Sequence, residues 1–395
     1  VSAALGLPSR GAPPGANDTV AIAVGGMTLI GWQRVSITRA MEAVPANFTL
    51  EVSERYPSAP TIDLKPGDPC TLKIGGDLVL TGFVDRYETS LTPAAHNIRV
   101  MGRSKSQDLV DCSAIFGDPE QPVFQKGTST VLDIVKALAE PYKITVNSLN
   151  GAGTDTSQKV DQININLGET AWEIIDRITK WAGVIVYDLP DGSIVLAISG
   201  SERMASGVGI GVNVEAAEVS LSMDGRFSDY EARLLSVQTL GTDVGPNTPG
   251  IGQRVKDPGV PRFRMRYVVS DQFVMDESVA VKRATWELNR NKGRSMALTC
   301  TIDAWRDSAG ALWAPNHLAP ISAAQLKLPR EDWIIASVNY LRDENGQHAA
   351  LVLMPKEAYL PQPTGPLNPL PPLIQDLERN NPTAPGPLVV GPGTA

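Results

Sequence analysis

One order of elements occurs twice in this 395-residue chain, and a repeat of strands restricts the possible folds more than any other feature. In the first copy Phe48, Leu50 and Val52 alternate with Thr49, Glu51 and Ser53. The turn Pro66-Gly67-Asp68 follows, and then a strand pair from Gly82-Phe83-Val84-Asp85 to Ile98-Arg99-Val100-Met101. In the second copy Leu298, Cys300 and Ile302 alternate with Thr299, Thr301 and Asp303. Its turn is Pro315-Asn316, and its pair runs from Ser337-Val338-Asn339-Tyr340 to Leu351-Val352-Leu353-Met354. Val52 to Pro66 is 14 residues against 13 for Ile302 to Pro315, Phe83 to Met101 is 18 against 17 for Ser337 to Met354, and only the middle step differs, 17 against 22. Period-two alternation gives a strand one core face and one wet face, and strands with turn signals at short intervals fit a sandwich or barrel. The expected fold class is α+β, β-rich and multidomain: two similar β-barrel domains with α/β insert modules.

Turn and helix signals divide the chain further. Residues 1–18 are rich in Gly, Pro, Ala and Ser and read as an arm; 19–104 read as the first barrel, with a Gly75-Gly76-Asp77 hairpin turn. From 105 to 213 the period becomes helical and an α+β module is expected. Thr130 and Asp133 approximate a capping box ahead of the apolar face Leu132, Val135, Leu138 and Ala139, which Pro141 ends. Thr170 and Glu173 make a better box, because hydroxyl and carboxylate can each satisfy an amide that the first helical turn leaves open. The face that follows is Ala171, Ile174, Ile175, Ile178 and Trp181, stopped by Gly183, and Leu189-Pro190-Asp191-Gly192 turns a hairpin.

Gly207-Val208-Gly209-Ile210-Gly211 lacks the Lys-Ser or Lys-Thr pair and the helix start of a phosphate loop. It reads as a flexible linker into the second barrel, 214–360. That barrel carries an inserted helix at 276–291, capped by Asp276, striped by Ala280, Ala284 and Leu288, and ended by Gly293; Asn345-Gly346 marks a late hairpin. A Gly/Pro-rich stretch at 241–261 has the length of an interaction loop. Residues 361–395 hold 10 of the 31 prolines and are expected to form an extended tail docking on another chain.

Composition narrows function. A net charge of −8 makes the surface as a whole repel nucleic acid. Arg262, Arg264 and Arg266, alternating with Phe263, Met265 and Tyr267, are the one basic stripe, and a solvated or subunit-facing strand is its simpler reading. No apolar run approaches the length of a membrane helix, and no cleaved signal is expected. Cys70, Cys112 and Cys300 are an odd, scattered set, the first and last on inward strand positions as small buried hydrophobes. His96, His317 and His348 lack metal-ligand spacing. No GxSxG, HExxH, Walker or CxxC signature is present. Glu42, Asp85, Glu173, Asp176 and Asp303 are the carboxylates to test for paired acid–base work, but each has a simple structural role as a cap, turn or strand face. No catalytic, cofactor-binding or metal residue is assigned, no cofactor is expected, and the chain reads as a non-enzyme.

Several stretches carry a family resemblance. Gly31-Trp32-Gln33-Arg34-Val35-Ser36-Ile37-Thr38-Arg39, Pro66-Gly67-Asp68, Ile74-Gly75-Gly76, Thr81-Gly82-Phe83-Val84-Asp85, Val100-Met101-Gly102-Arg103-Ser104-Lys105 and Asp108-Leu109-Val110-Asp111-Cys112 resemble the baseplate central hub protein of Mu-type contractile-tail phages. Trp305-Arg306, Leu312-Trp313-Ala314-Pro315-Asn316 and Leu353-Met354-Pro355 are similar to the same family. The resemblance spans roughly residues 19–360. It implies a homotrimer at the end of the tail tube, whose two barrels per chain form a pseudo-sixfold ring. Such a ring adapts the sixfold tube to a threefold central spike and surrounds the DNA exit channel. The implied partners are a second and third copy, the spike, the tube protein and other baseplate proteins, with DNA passing unbound. It is related to the hub of T-even phages and to the hub half of type VI secretion spike proteins. The alternatives are the hub of a genome-free injection device, a baseplate-associated glycan hydrolase and a single-strand nucleic-acid-binding barrel.

Overall fold

A computed structural model describes residues 18–54, 64–93, 95–149, 156–157, 159–234, 254–270 and 277–360. The arm to residue 17, most of the 241–261 loop, Asp276 and the tail from 361 lie outside the described residues.

The first half is built from β1 (Val20–Val24), β2 (Met27–Leu29), β3 (Arg34–Ala40), β4 (Asn47–Glu54), β5 (Pro69–Ile74), β6 (Asp77–Leu91) and β7 (His96–Ser104). The alternation read from the sequence is the burial pattern: Phe48 and Leu50 are buried, and Thr49 and Glu51 between them are not. The strands pair in the order β3-β4-β7-β6-β5-β1-β2.

Next come α1 (Gln107–Asp111), β8 (Gln125–Thr130), α2 (Val131–Ala139), β9 (Val146–Ser148), β10 (Lys159–Asn164), α3 (Ala171–Ala182), β11 (Ile185–Asp188) and β12 (Ile194–Ala197). The Thr170 box is complete: its Oγ1 accepts from the Glu173 amide at 3.2 Å, and its own amide donates to Glu173 Oε2 at 2.8 Å. Gly183 ends this helix at φ 72°. As expected, α2 ends ahead of Pro141, at Ala139; a separate 3₁₀ turn, Glu140–Tyr142, then takes the proline in its first positions, where it loses no hydrogen bond. Ile134, Val135 and Leu138 of α2 meet Ile174, Ile175 and Ile178 of α3 in the module's own core.

The second half contains β13 (Glu202–Arg203), β14 (Val208–Gly209), β15 (Val214–Leu221), β16 (Asp229–Leu234), β17 (Arg254–Lys256), β18 (Met265–Ser270), α4 (Glu277–Arg294), β19 (Met296–Ile302), β20 (His317–Ser322), β21 (Asp332–Asp343) and β22 (Gly346–Pro355). The order β15-β19-β22-β21-β20 repeats β3-β4-β7-β6-β5 strand for strand. Details repeat with it. A one-residue bulge stands at Asp85, between the pairs Val84–Gly102 and Arg86–Met101. Another stands at Ala336, between Ile335–Leu353 and Ser337–Val352. The proline turns end alike: the Gly67 amide donates to the Val84 carbonyl at 2.7 Å, and the Asn316 amide to the Ile335 carbonyl at 2.9 Å. Both turn residues are left-handed, at φ 95° and 64°, where glycine and asparagine are the favoured residues.

The two halves are joined into one 14-stranded sheet among the described residues, because the second part of β21 pairs antiparallel with β3, Tyr340 opposite Ile37. One apolar core runs through both, holding Phe48, Leu72, Trp305, Trp313, Trp333 and Tyr340. The glycine run at 207–211 is a correction. It is not a flexible linker: β14 pairs with β20, Val208 is buried, and the Asn213 side chain bonds both the Gly207 carbonyl and the Gly209 amide at 2.9 Å. Strands β13 and β14 thus lie with the second half rather than with the 105–213 module. The inserted helix also differs, since it runs through Gly293 to Arg294. A Cβ at Gly293 would stand 2.2 Å from the Ala358 amide nitrogen. That glycine admits a crossing backbone and does not stop the helix.

Candidate functional site

Four of the carboxylates singled out for chemistry, Glu42, Asp85, Glu173 and Asp176, are scattered and individually engaged. Glu42 takes Arg290 at 3.6 Å and also Arg294. Asp85, on its bulge, accepts from Arg103 Nε at 2.7 Å. Glu173 completes its capping box, and Asp176 meets Lys180 at 2.6 Å one helical turn on. Asp303 follows β19, its amide donating to the Asn213 carbonyl at 3.1 Å. A groove of about 850 Å³ where the two halves meet does bring Glu51, Glu88 and Glu344 together. Arginines lie among them: Arg99 to Glu51 is 2.6 Å and to Glu88 3.7 Å, and Arg34 to Glu344 is 3.4 Å. Each of the three carboxylates is thus taken up in an ion pair with an arginine.

Of the arginine stripe, Arg262 and Arg266 are exposed and Arg264 is half-buried. Arg264 donates to the carbonyls of Met223 at 2.6 Å and Asp224 at 3.0 Å, and both Arg264 and Arg266 lie over the Phe227 ring, at 5.1 and 5.5 Å. The strand begins only at Met265, and Phe263 before it and Tyr267 within it are both exposed. Burial pushes the Cys70 thiol up to about 12, with Asp85 adding to the shift, and it does the same to Cys300. Neither is a nucleophile near neutral pH. His317 faces Glu202 at 3.0 Å and His348 faces Glu215 at 2.7 Å. No group of three or more metal-ligating side chains is found among the described residues, and no helix there is long and apolar enough to cross a membrane.

What converges instead are the joints between modules. Asp188, at the end of β11 and 3 % exposed, accepts from the Ala46 amide at 2.8 Å, from Ser106 at 3.1 Å and from Ser104. One buried carboxylate therefore pins the middle module to the start of β4 and the end of β7. Arg306 spans the halves: it donates to Asp18 at 2.8 Å, Asp77 at 2.6 Å and the Ile74 carbonyl at 3.2 Å. Sequence reading missed Asp188 altogether, and its partners lie 82 to 142 residues away.

The described residues form a β-rich chain of two like modules, with buried charges at the joints between modules. Three family models match in succession: Mu phage baseplate assembly protein GpP-like, N-terminal, at 19–104; baseplate hub protein gp44-like, second domain, at 106–198; and Mu phage baseplate assembly protein GpP, fourth domain, at 276–362. The baseplate hub protein gp44 of Escherichia phage Mu is 27% identical over 348 residues, 87% of this chain and 89% of that protein. Among solved structures, the 43 kDa tail protein of prophage MuSo2 from Shewanella oneidensis superposes with a TM-score of 0.75 at 29% identity, covering 86% of this chain and 99% of that one. A tail protein from Neisseria meningitidis gives 0.71 at 21%, over 88% and 99%. A type VI secretion component of E. coli gives 0.51 at 10%, over 89% and 80%, a likeness of fold alone. In three successive segments, and along most of its length, the chain is similar to Mu-type baseplate hub proteins.

Proposed function

We propose that three copies of this chain close into a ring at the end of a contractile tail. There they adapt a sixfold tail tube to a threefold central spike and surround the passage through which DNA leaves. The observation that carries this reading is the repeated five-strand order with its matching bulges and turns. Two like modules per chain give six from three chains, and six tube subunits need six near-equivalent contacts. The charge supports a passage without affinity for its cargo, since three chains carry −24 and oppose the phosphate backbone. The protein acts without catalysis, its partners being the spike, the tube and neighbouring baseplate proteins, and it resides in the virion baseplate after assembly in the host cytoplasm.

Light scattering across a concentration series tests this. A trimer, or a monomer–trimer equilibrium, is the expected result, with six lobes at similar radius in averaged end views by electron microscopy. A stable dimer or hexamer as the only species would overturn the reading.

A further inference from the structure

The joint within the chain is a template for a joint between chains. At β3–β21, the positions facing the core are closed: Val35 and Ile37 on β3, and Val338 and Tyr340 on β21, are at most 2 % exposed. The fold repeats both edges of that joint. Pairing places β15 where β3 stands in the first half, so that Ile37, opposite Phe48, corresponds to Val219, opposite Leu298. It likewise places the end of β6, after the Asp85 bulge, where the end of β21 stands, after the Ala336 bulge. Yet among the described residues β15 is the end of the sheet, paired with β19 and otherwise only bridged at Val214 to Ile210, and no strand lies along the far side of β6 beyond Phe83.

The side chains at these two edges are those of a joint with its other half missing. Met41 is 1 % exposed, and its amide donates to the Ala336 carbonyl at 2.9 Å across the internal joint. The offset that aligns Ile37 with Val219 aligns Met41 with Met223, which is 43 % exposed. Arg39, 8 % exposed, corresponds to Leu221, 61 % exposed; across the joint, Arg342 corresponds to Leu91, 80 % exposed. Such apolar side chains on an open strand edge invite pairing with another chain.

We infer that β15 of one chain pairs antiparallel with the end of β6 of the next, in the register of the internal β3–β21 joint. Transferring that register sets Tyr87 opposite Leu221, Thr89 opposite Val219 and Leu91 opposite Ala217 on the core face. Arg86 meets Ser222, Glu88 meets Ser220 and Ser90 meets Glu218 on the other, with no like charges directly opposite. Each chain then gives one edge to each neighbour, a head-to-tail contact that closes into a ring. This rests on the trimeric reading and specifies its interface.

The test places cysteines in the full chain, in a Cys112→Ser background. Glu88→Cys with Ser220→Cys is expected to oxidise to a covalent trimer. Arg86→Cys with Glu218→Cys, four residues out of register, should not, because the Cα atoms of a disulfide lie within about 7 Å of each other. Separately, Leu221→Asp should weaken assembly at least tenfold in light scattering while the monomer keeps its melting temperature, since Leu221 is largely exposed in the single chain. A trimer that forms without the Glu88–Ser220 disulfide and ignores Leu221→Asp overturns the strand joint and leaves the trimer standing. A wild-type chain that never assembles overturns both.

Discussion

At the scale of single residues, stability concentrates in polar groups buried between modules. Replacing Asp188 by Ala leaves the Ala46 amide and two serine hydroxyls without their shared acceptor. Stranding buried donors of a charged hydrogen bond costs roughly 2–4 kcal/mol. Urea unfolding should show a loss of that order, with proteolysis moving to the boundary near residue 105; Asp188→Asn should lose less. Thiol reactivity gives a second check. Cys70 and Cys300 are buried and Cys112 only partly so, so a thiol reagent should label Cys112 first and the other two only as urea unfolds the chain. The inward placement of Cys70 and Cys300 was legible from strand alternation. Asp188 was not, because nothing near it in sequence distinguishes a strand-end aspartate whose partners come from elsewhere.

Elements with local causes were legible, and those with distant causes were not. The Thr170–Glu173 box and the left-handed Gly183 are settled within one helical turn, so both ends of α3 follow from the sequence. Gly293 looked like a stop by the same logic, yet its role is set by the backbone at Ala358. Its replacement separates the two explanations. On helix propensity alone, Gly293→Ala should stabilise by about 1 kcal/mol. With a backbone atom 2.2 Å from the new Cβ, overpacking prevails, and a net loss of about 1–3 kcal/mol is expected. Thermal melts of the two proteins measure the sign. The glycines at 207–211 misled in a similar way, since a run that suggests freedom is held by Asn213 and by the β20 edge.

For the whole molecule, the doubled architecture was visible as a spacing pattern, but its fusion was not, because the β3–β21 joint leaves no mark within either stretch. Burial across this shared core also sets a response to alkali. Cys300 is held near 12 against an ordinary 9.0, and burial likewise raises the Tyr187 and Tyr340 phenols above 10.0. The folded chain keeps protons there that the unfolded chain releases, so this stability is intact below about pH 9 and falls as pH rises toward 12. Urea midpoints between pH 8 and 11 should therefore decline steadily above 9. The joint also bears on how the chain is made. Ile37 waits for Tyr340, so β3 emerges from the ribosome about 300 residues before its neighbour exists. At the usual 5–20 residues per second that interval is roughly 15–60 s. During it the first half carries a naked strand edge while other nascent copies are near, and the wrong β21 is the competitor. Translation speed and copy density on the messenger thus enter the yield of correctly joined chains, which a synonymous-codon series slowing synthesis between residues 105 and 330 would expose as misjoined oligomers.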